Sequence, residues 1–159
     1  MNTLYRIRQL YAALRARLTL EDRALVARAL TPAELALFER MPRYDQRHCL
    51  DVYRLLVGSG YADPLLLRAA LLHDCGKGAV PVWVRILYVL RPSLIDGIAR
   101  ENAPGYRGAA WRLRHHEAIG ARAALAAGCS ETTMRFIEGR PLPEEQALFD
   151  ALVAADDAS

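Results

Sequence analysis

His73 and Asp74 place an imidazole next to a carboxylate, and the stretch Ala69-Ala-Leu-Leu-His73-Asp74-Cys75-Gly76-Lys77-Gly78 follows them with a glycine-flanked lysine. Imidazole nitrogen and carboxylate oxygen are ligands of compatible hardness for magnesium or a divalent transition metal, and glycines let the backbone turn sharply enough to bring an ammonium alongside. Lys77 is the only lysine among 21 cationic side chains. In a chain so biased towards arginine, a lysine suggests that a compact point charge is wanted there. The same stretch also reads as a helix C-terminus, with Gly76 as C-cap and Lys77 complementing the dipole. His48 lies on an earlier apolar pattern and His115-His116 on a later one. The chain closes on Ala155-Asp156-Asp157. Carboxylates at a helix C-terminus oppose the macrodipole, and a cation would compensate them.

The elements that must position these groups read as helices throughout. Leu4, Ile7, Leu10, Tyr11, Leu14 and Leu18 recur at helical spacing between arginines, which predicts an amphipathic first helix. Thr19 with Glu21 and Asp22 caps a second helix through about Ala29, and Thr31-Pro32-Ala33-Glu34 starts a third that runs to roughly Arg40. His48 falls on the apolar face of a helix over Tyr44–Val57. Asp63-Pro64 then opens an almost wholly apolar helix to Asp74, interrupted only by Arg68, which predicts the central buried helix. Val80–Leu90 is apolar and broken at Arg91-Pro92, Ser93 to about Arg100 is a short helix, and Ala103–Gly108 is a loop by composition. One long alanine-rich helix is expected over Ala109–Ala127, bearing His115, His116 and Glu117. Two more follow, Ser130–Ile137 and Glu144–Asp156. No strand-like alternation, internal repeat or low-complexity linker is present.

At 159 residues, 53% apolar and 25% charged, the sequence fits one soluble all-α domain with a real core. A net charge of +3 carried by scattered arginines does not suggest a duplex nucleic acid partner. Cys49, Cys75 and Cys129 are odd in number and widely spaced, which fits a reduced, cytoplasmic protein without a disulfide framework. Arginines punctuate Met1–Leu20, so no signal peptide is expected. Arg85, Arg91, Pro92 and Asp96 interrupt Val80–Ala99. Each charge would cost about 2 to 3 kcal/mol at a bilayer centre, so no membrane span is expected there either.

The ordered set of Gln46-Arg-His48, then Ala-Leu-Leu-His73-Asp74-Cys-Gly-Lys77, then Ala155-Asp156 resembles the H…HD…D signature of the HD-domain superfamily of metal-dependent phosphohydrolases. The resemblance covers roughly Glu34 to Ala158. It implies a compact single-domain helical bundle, with residues 1–33 as an N-terminal helical extension and 34–159 as the HD-type domain. It further implies His48, His73, Asp74 and Asp156 as ligands of one divalent metal ion (Mn, Mg, Fe, Ni or Zn), with Asp157 an adjacent alternative to Asp156. His116-Glu-Ala-Ile-Gly120-Ala121 resembles the family's His-x-x-x-Gly-Ala segment. The later histidine pair of the binuclear members is replaced by Phe136-Ile-Glu138-Gly-Arg140, so a single metal is expected. The Gly-Tyr-Pro signature of the cyclic dinucleotide phosphodiesterase branch and the Glu-Asp pair of alarmone hydrolases are also missing.

The implied activity is hydrolysis of a phosphate ester of a small metabolite or nucleotide by a metal-activated water. Asp74 would orient or deprotonate the water, Lys77 would stabilise phosphoryl charge, and His116 would contact the substrate phosphate or a metal-bound water or, if protonated, assist the leaving oxygen. Arg47 and Arg114 are candidates for a second phosphate, and Trp83, Tyr88, Tyr106 and Trp111 for an aromatic pocket, against the commoner surface and core roles of such residues. Alternatives are a non-enzymatic nucleotide- or partner-binding HD domain and a di-iron oxygenase of the same superfamily. A homodimer is compatible with the sequence.

Overall fold

A computed structural model of the chain describes residues 17–159. The expected first helix over Leu4–Leu18 falls almost entirely outside the described residues. Those residues form ten α-helices and one 3₁₀ turn, with no strand among them. In chain order they are α1 (Leu20–Ala29), α2 (Pro32–Arg40), α3 (Arg43–Gly58), α4 (Pro64–Leu72), α5 (Val82–Leu90), α6 (Pro92–Ile98), α7 (Gly105–Arg114), α8 (His116–Ala126), α9 (Glu131–Glu138) and α10 (Gln146–Ala158), with the 3₁₀ turn at Pro143–Glu145.

Helix α4 is the axis of the fold. The Asp63 carboxylate accepts from the Leu65 and Leu66 amides at 2.8 and 3.0 Å, and Pro64 occupies the first turn. Leu66, Ala69, Ala70, Leu71 and Leu72 are fully buried. Helices α1, α2, α3, α9 and α10 all pack on α4, so it has no solvent face to make polar. The main core joins its residues to Leu50 and Leu56 of α3, Phe38 of α2, Phe136 and Ile137 of α9, and Leu152 of α10.

Helix α1 is tied down by charge as well as by Val26. The buried Asp22 carboxylate accepts from the Thr19 amide in a capping box and from Arg47 and Arg54 of α3. Thr31 and Glu34 form the second expected capping box, at the start of α2.

Helices α5, α6 and α7 form a satellite with its own small core of Val80, Val84, Ile95, Ala109, Ala110 and Leu113. It leaves the bundle after Lys77 and rejoins it at α8.

Three boundaries differ from the sequence reading, and each has a local cause. The single helix expected over Ala109–Ala127 is two, because His115 leaves helical geometry (φ −111°, ψ 18°) and stacks on Trp111 with ring centroids 4.7 Å apart. Helix α7 begins within the expected loop, at Gly105, because Gly108 lets the helix pass against the Ala103 carbonyl. Helix α4 ends at Leu72, and residues 73–77 form tight turns closed by Cys75 N–H to Leu72 O (2.9 Å) and Lys77 N–H to Asp74 O (3.0 Å).

Gly76 is not the C-cap that composition suggested. The left-handed conformation belongs to Gly78 (φ 61°), and Gly76 serves close packing instead. A Cβ at Gly76 would overlap the His116 carbonyl oxygen and lie 2.6 Å from the Gly120 nitrogen. One at Gly120 would come within 3.2 Å of the Gly76 nitrogen. The turn that follows Asp74 therefore meets the first turns of α8 backbone to backbone, which fixes His116 relative to Asp74.

Gly76→Ala should therefore destabilise the fold by about 2 kcal/mol or more through overpacking. Gly58→Ala, where a Cβ meets nothing within 4 Å, should be neutral or stabilising by up to about 1 kcal/mol. Urea unfolding of the two variants measures the contrast, and equal stabilities would contradict the packing role of Gly76.

Candidate metal centre

Four side chains from three parts of the fold converge at the end of α4. His48 comes from the middle of α3, His73 and Asp74 from the turn after α4, and Asp156 from the last full turn of α10. His48 Nε2 lies 3.3 Å from His73 Nε2 and 2.7 Å from Asp156 Oδ1. His73 Nε2 is 3.4 Å from Asp156 Oδ1 and 3.5 Å from Asp74 Oδ1. One ligand atom each from His48, His73 and Asp74 fits within a mutual 4.8 Å. Adjacent ligands of a divalent ion stand about 3 Å apart at ordinary metal–ligand distances. These three are compact enough to act as a coordination shell, and Asp156 lies outside that group but within reach of both imidazoles.

The tautomers suit ligation. His73 Nδ1–H donates to the Ala70 carbonyl at 3.0 Å, so Nε2 is the nitrogen that faces the cluster. His116 repeats the device: the α7/α8 break frees the Leu113 carbonyl, which accepts from His116 Nδ1–H at 2.8 Å. His48 Nδ1 faces the Ser159 hydroxyl at 2.9 Å, while its Nε2 faces Asp156 Oδ1 at 2.7 Å, a position that a cation would take over from the shared proton. Fixing the far nitrogen in this way orients an imidazole ligand.

Asp74 decides the electrostatics of the site. It is 1% exposed, and its two oxygens differ in kind. Oδ2 accepts from Lys77 Nζ at 2.6 Å, while Oδ1 is buried with no hydrogen-bond partner. Burial works against the carboxylate, but His73, Lys77 and His48 outweigh it and hold Asp74 well below the usual carboxylate range. Asp156 is exposed, its side chain at 46%, and its hydrogen bonds to His48 and His73 hold it low. Burial also opposes the Lys77 ammonium, and Asp74 overcomes it and raises the lysine pKa. For His73 burial again opposes charge, but Cys49, Asp74 and Asp156 together raise its pKa well above the ordinary histidine value. A buried oxygen without a hydrogen bond, beside the Nε2 atoms of two imidazoles, is the chemistry of a cation site, since buried polar atoms are otherwise satisfied.

His116 Nε2 stands 3.9 Å from Asp74 Oδ1, at the edge of the cluster. Burial and Lys77 lower its pKa, which favours the neutral imidazole. Other expected participants lie elsewhere. Asp157 is exposed and makes no hydrogen bond or ion pair among the described residues. Arg47 is held by Asp51 and Asp22, Arg114 pairs with Asp96, and Glu138 pairs with Arg140. The four aromatics disperse: Trp111 stacks on His115, Tyr88 packs in the satellite core, and Trp83 meets Tyr106 at the surface.

Sequence reasoning missed a second polar cluster beside the first. Arg85 of α5 forms a bidentate pair with the buried Asp45 of α3, at 3.0 and 2.8 Å, and its guanidinium lies 4.2 Å from the Tyr44 ring centre. Burial pushes Tyr44 up to about 12 and raises Asp45, with Arg85 acting against both shifts. The signal was a single arginine inside the apolar run Val80–Leu90. A charge there needs a partner when the helix packs. Tyr44 also lines a cleft of about 580 Å³ together with Pro81, Pro104, Tyr106 and Arg112. Arg112 fixes the cleft to the Lys77 turn by donating to the Lys77 and Ala79 carbonyls at 3.4 and 3.0 Å.

Compared with family models, curated proteins and solved structures, the chain matches none of them.

The raised His73 pKa sets a sign. Its contribution to metal-free stability is complete below the unfolded value near 6.5 and is lost as pH rises through the folded value. A metal needs the same nitrogen deprotonated, so its binding strengthens over that range. The increase in melting temperature on adding Mn²⁺ should therefore grow from pH 6 to pH 9. His73→Ala should abolish most of that increase, as differential scanning fluorimetry would show. A shift independent of pH would argue that the histidine is not a ligand.

Proposed function

We propose that the chain is an HD-type metal-dependent phosphohydrolase acting on a small phosphorylated metabolite or nucleotide. The observation that carries this reading is Asp74 Oδ1, a buried carboxylate oxygen that accepts no hydrogen bond, set beside the Nε2 atoms of His48 and His73. His48, His73, Asp74 and Asp156 would hold one divalent cation. When bound, the cation supplies Lewis-acid charge and acidifies water at neutral pH.

The chain's own groups then divide the remaining work. Asp74 is fixed by Lys77 through Oδ2 and so presents Oδ1 in one orientation, where it can accept a proton from an attacking water. Lys77 spends one of its three donors on Asp74, which leaves two for the equatorial oxygens of a phosphoryl group. His116, neutral and with Nε2 turned towards Asp74, accepts a hydrogen bond from a water or from the substrate and holds it in line. Cys49 Sγ and the Ala70 carbonyl, on the far side of His73, keep that ring from rotating. The absence of a histidine on α9 supports one cation over two.

Phosphate release from a panel of phosphomonoesters, phosphodiesters and nucleotides, measured with the Mn²⁺-loaded protein, tests the proposal. Asp74→Asn should lower kcat by about 10² to 10⁴-fold, and Lys77→Met by about 10² to 10³-fold with the metal still bound. If the metal-loaded chain turns over none of the panel while His73→Ala still binds a nucleotide, the enzyme reading fails and a binding domain takes its place.

A further inference from the structure

Helix α5 is apolar on every side apart from Arg85, whose charge is taken up by Asp45. Its inner residues Val84, Leu87 and Tyr88 belong to the satellite core. Its outer residues Val82, Trp83, Ile86, Val89 and Leu90 recur at the spacing of one helical stripe. On that stripe Trp83 is 51% exposed and Val89 52%, and Leu94 at the start of α6 is 54% exposed. Tyr106 of α7 extends the patch, with its ring centre 5.4 Å from that of Trp83. A helix without a polar face belongs in a covered setting, and a contiguous apolar patch on a folded domain marks an interaction surface.

The charge around the patch indicates what covers it. Residues 79–114 hold six arginines against two carboxylates, a net +4 in a chain that carries +3 overall. Arg85 is neutralised by Asp45 and Arg114 by Asp96. Arg91, Arg100 and Arg107 are exposed and have no ion-pair partner among the described residues. Arg91 follows Leu90 directly, and Arg107 follows Tyr106. The satellite thus presents Trp, Tyr and branched aliphatic side chains beside unpaired guanidinium groups, the combination that seats a helix at an anionic bilayer interface. A second copy of the same face would bring the same arginines against each other. Spanning is excluded for α5, which has nine residues where about twenty are needed. None of the described helices is long and apolar enough to cross a membrane.

We propose that the α5–α7 face docks on the surface of an anionic membrane, with α5 lying in the headgroup plane and Arg91, Arg100 and Arg107 meeting lipid phosphates. The docking surface is separate from the metal centre and does not depend on its chemistry.

Vesicle flotation of the full chain tests this. Vesicles of phosphatidylcholine with about one third phosphatidylglycerol should carry the protein, phosphatidylcholine alone should not, and raised salt should release it. Arg91→Gln and Arg107→Gln should each weaken partitioning by roughly fivefold. Trp83→Ser combined with Leu90→Ser should abolish it. Both side chains are exposed, so circular dichroism and Mn²⁺ binding of that double variant should remain as in the parent. No flotation with anionic vesicles, or flotation unchanged in the double variant, overturns the proposal. So does a dimer in sedimentation that the same double variant dissociates, because the face would then be covered by a second copy.

Discussion

The dominant physical constraint in this protein is a carboxylate held almost entirely out of water at the end of its most buried helix. An isolated ionised Asp74 would cost several kcal/mol in such a place, and the surrounding chain is arranged to offset that cost. Lys77 satisfies one oxygen through a turn so tight that the partners are three residues apart. The imidazoles of His48 and His73 gather near the other. The preference for lysine in an otherwise arginine-only chain follows, because a guanidinium fork would bring five donors where there is one oxygen to meet. Glycines on both sides of Lys77 serve the same end by different means. Gly78 supplies a backbone angle, and Gly76 supplies the absence of a side chain.

Much of this was legible in the sequence because it rests on local rules. Asp63-Pro64 and Thr31-Pro32-Ala-Glu34 announced helix starts by capping chemistry, and the apolar run from Leu65 announced a helix buried on all sides. The all-α fold followed from the absence of alternating segments. The proximity of His48, His73, Asp74 and Asp156 came from a resemblance in residue order, since spacing alone does not bring α10 beside α3.

What could not be read had non-local causes. The division of the long helix at His115 depends on a ring stacking on Trp111 and on the need of α8 to meet the Gly76 turn. Gly76 was taken for a cap because a cap is a property of its neighbours in sequence, whereas its actual role depends on α8. Asp45 and Arg85 are forty residues apart, and only the tertiary fold pairs them. The lowered pKa of His116 has a related cause: burial and Lys77 act on it, and neither is legible from its sequence neighbours.

The Gly76–Gly120 contact has a further consequence for how the chain tolerates change. Everything between these two glycines except α8's first turn is a closed excursion whose ends are welded together next to the metal ligands. The entropic cost of closing such an excursion rises only logarithmically with its length, by about 0.6 kcal/mol per doubling. Its interior has a hydrophobic core of its own. Insertions, deletions or exchange of α6 should therefore be far less disruptive to His73, Asp74 and His116 than closeness in sequence suggests, whereas α5 must keep Arg85 for the buried Asp45. The weld makes the outer part of the satellite an interchangeable attachment and the ligand set a fixed socket.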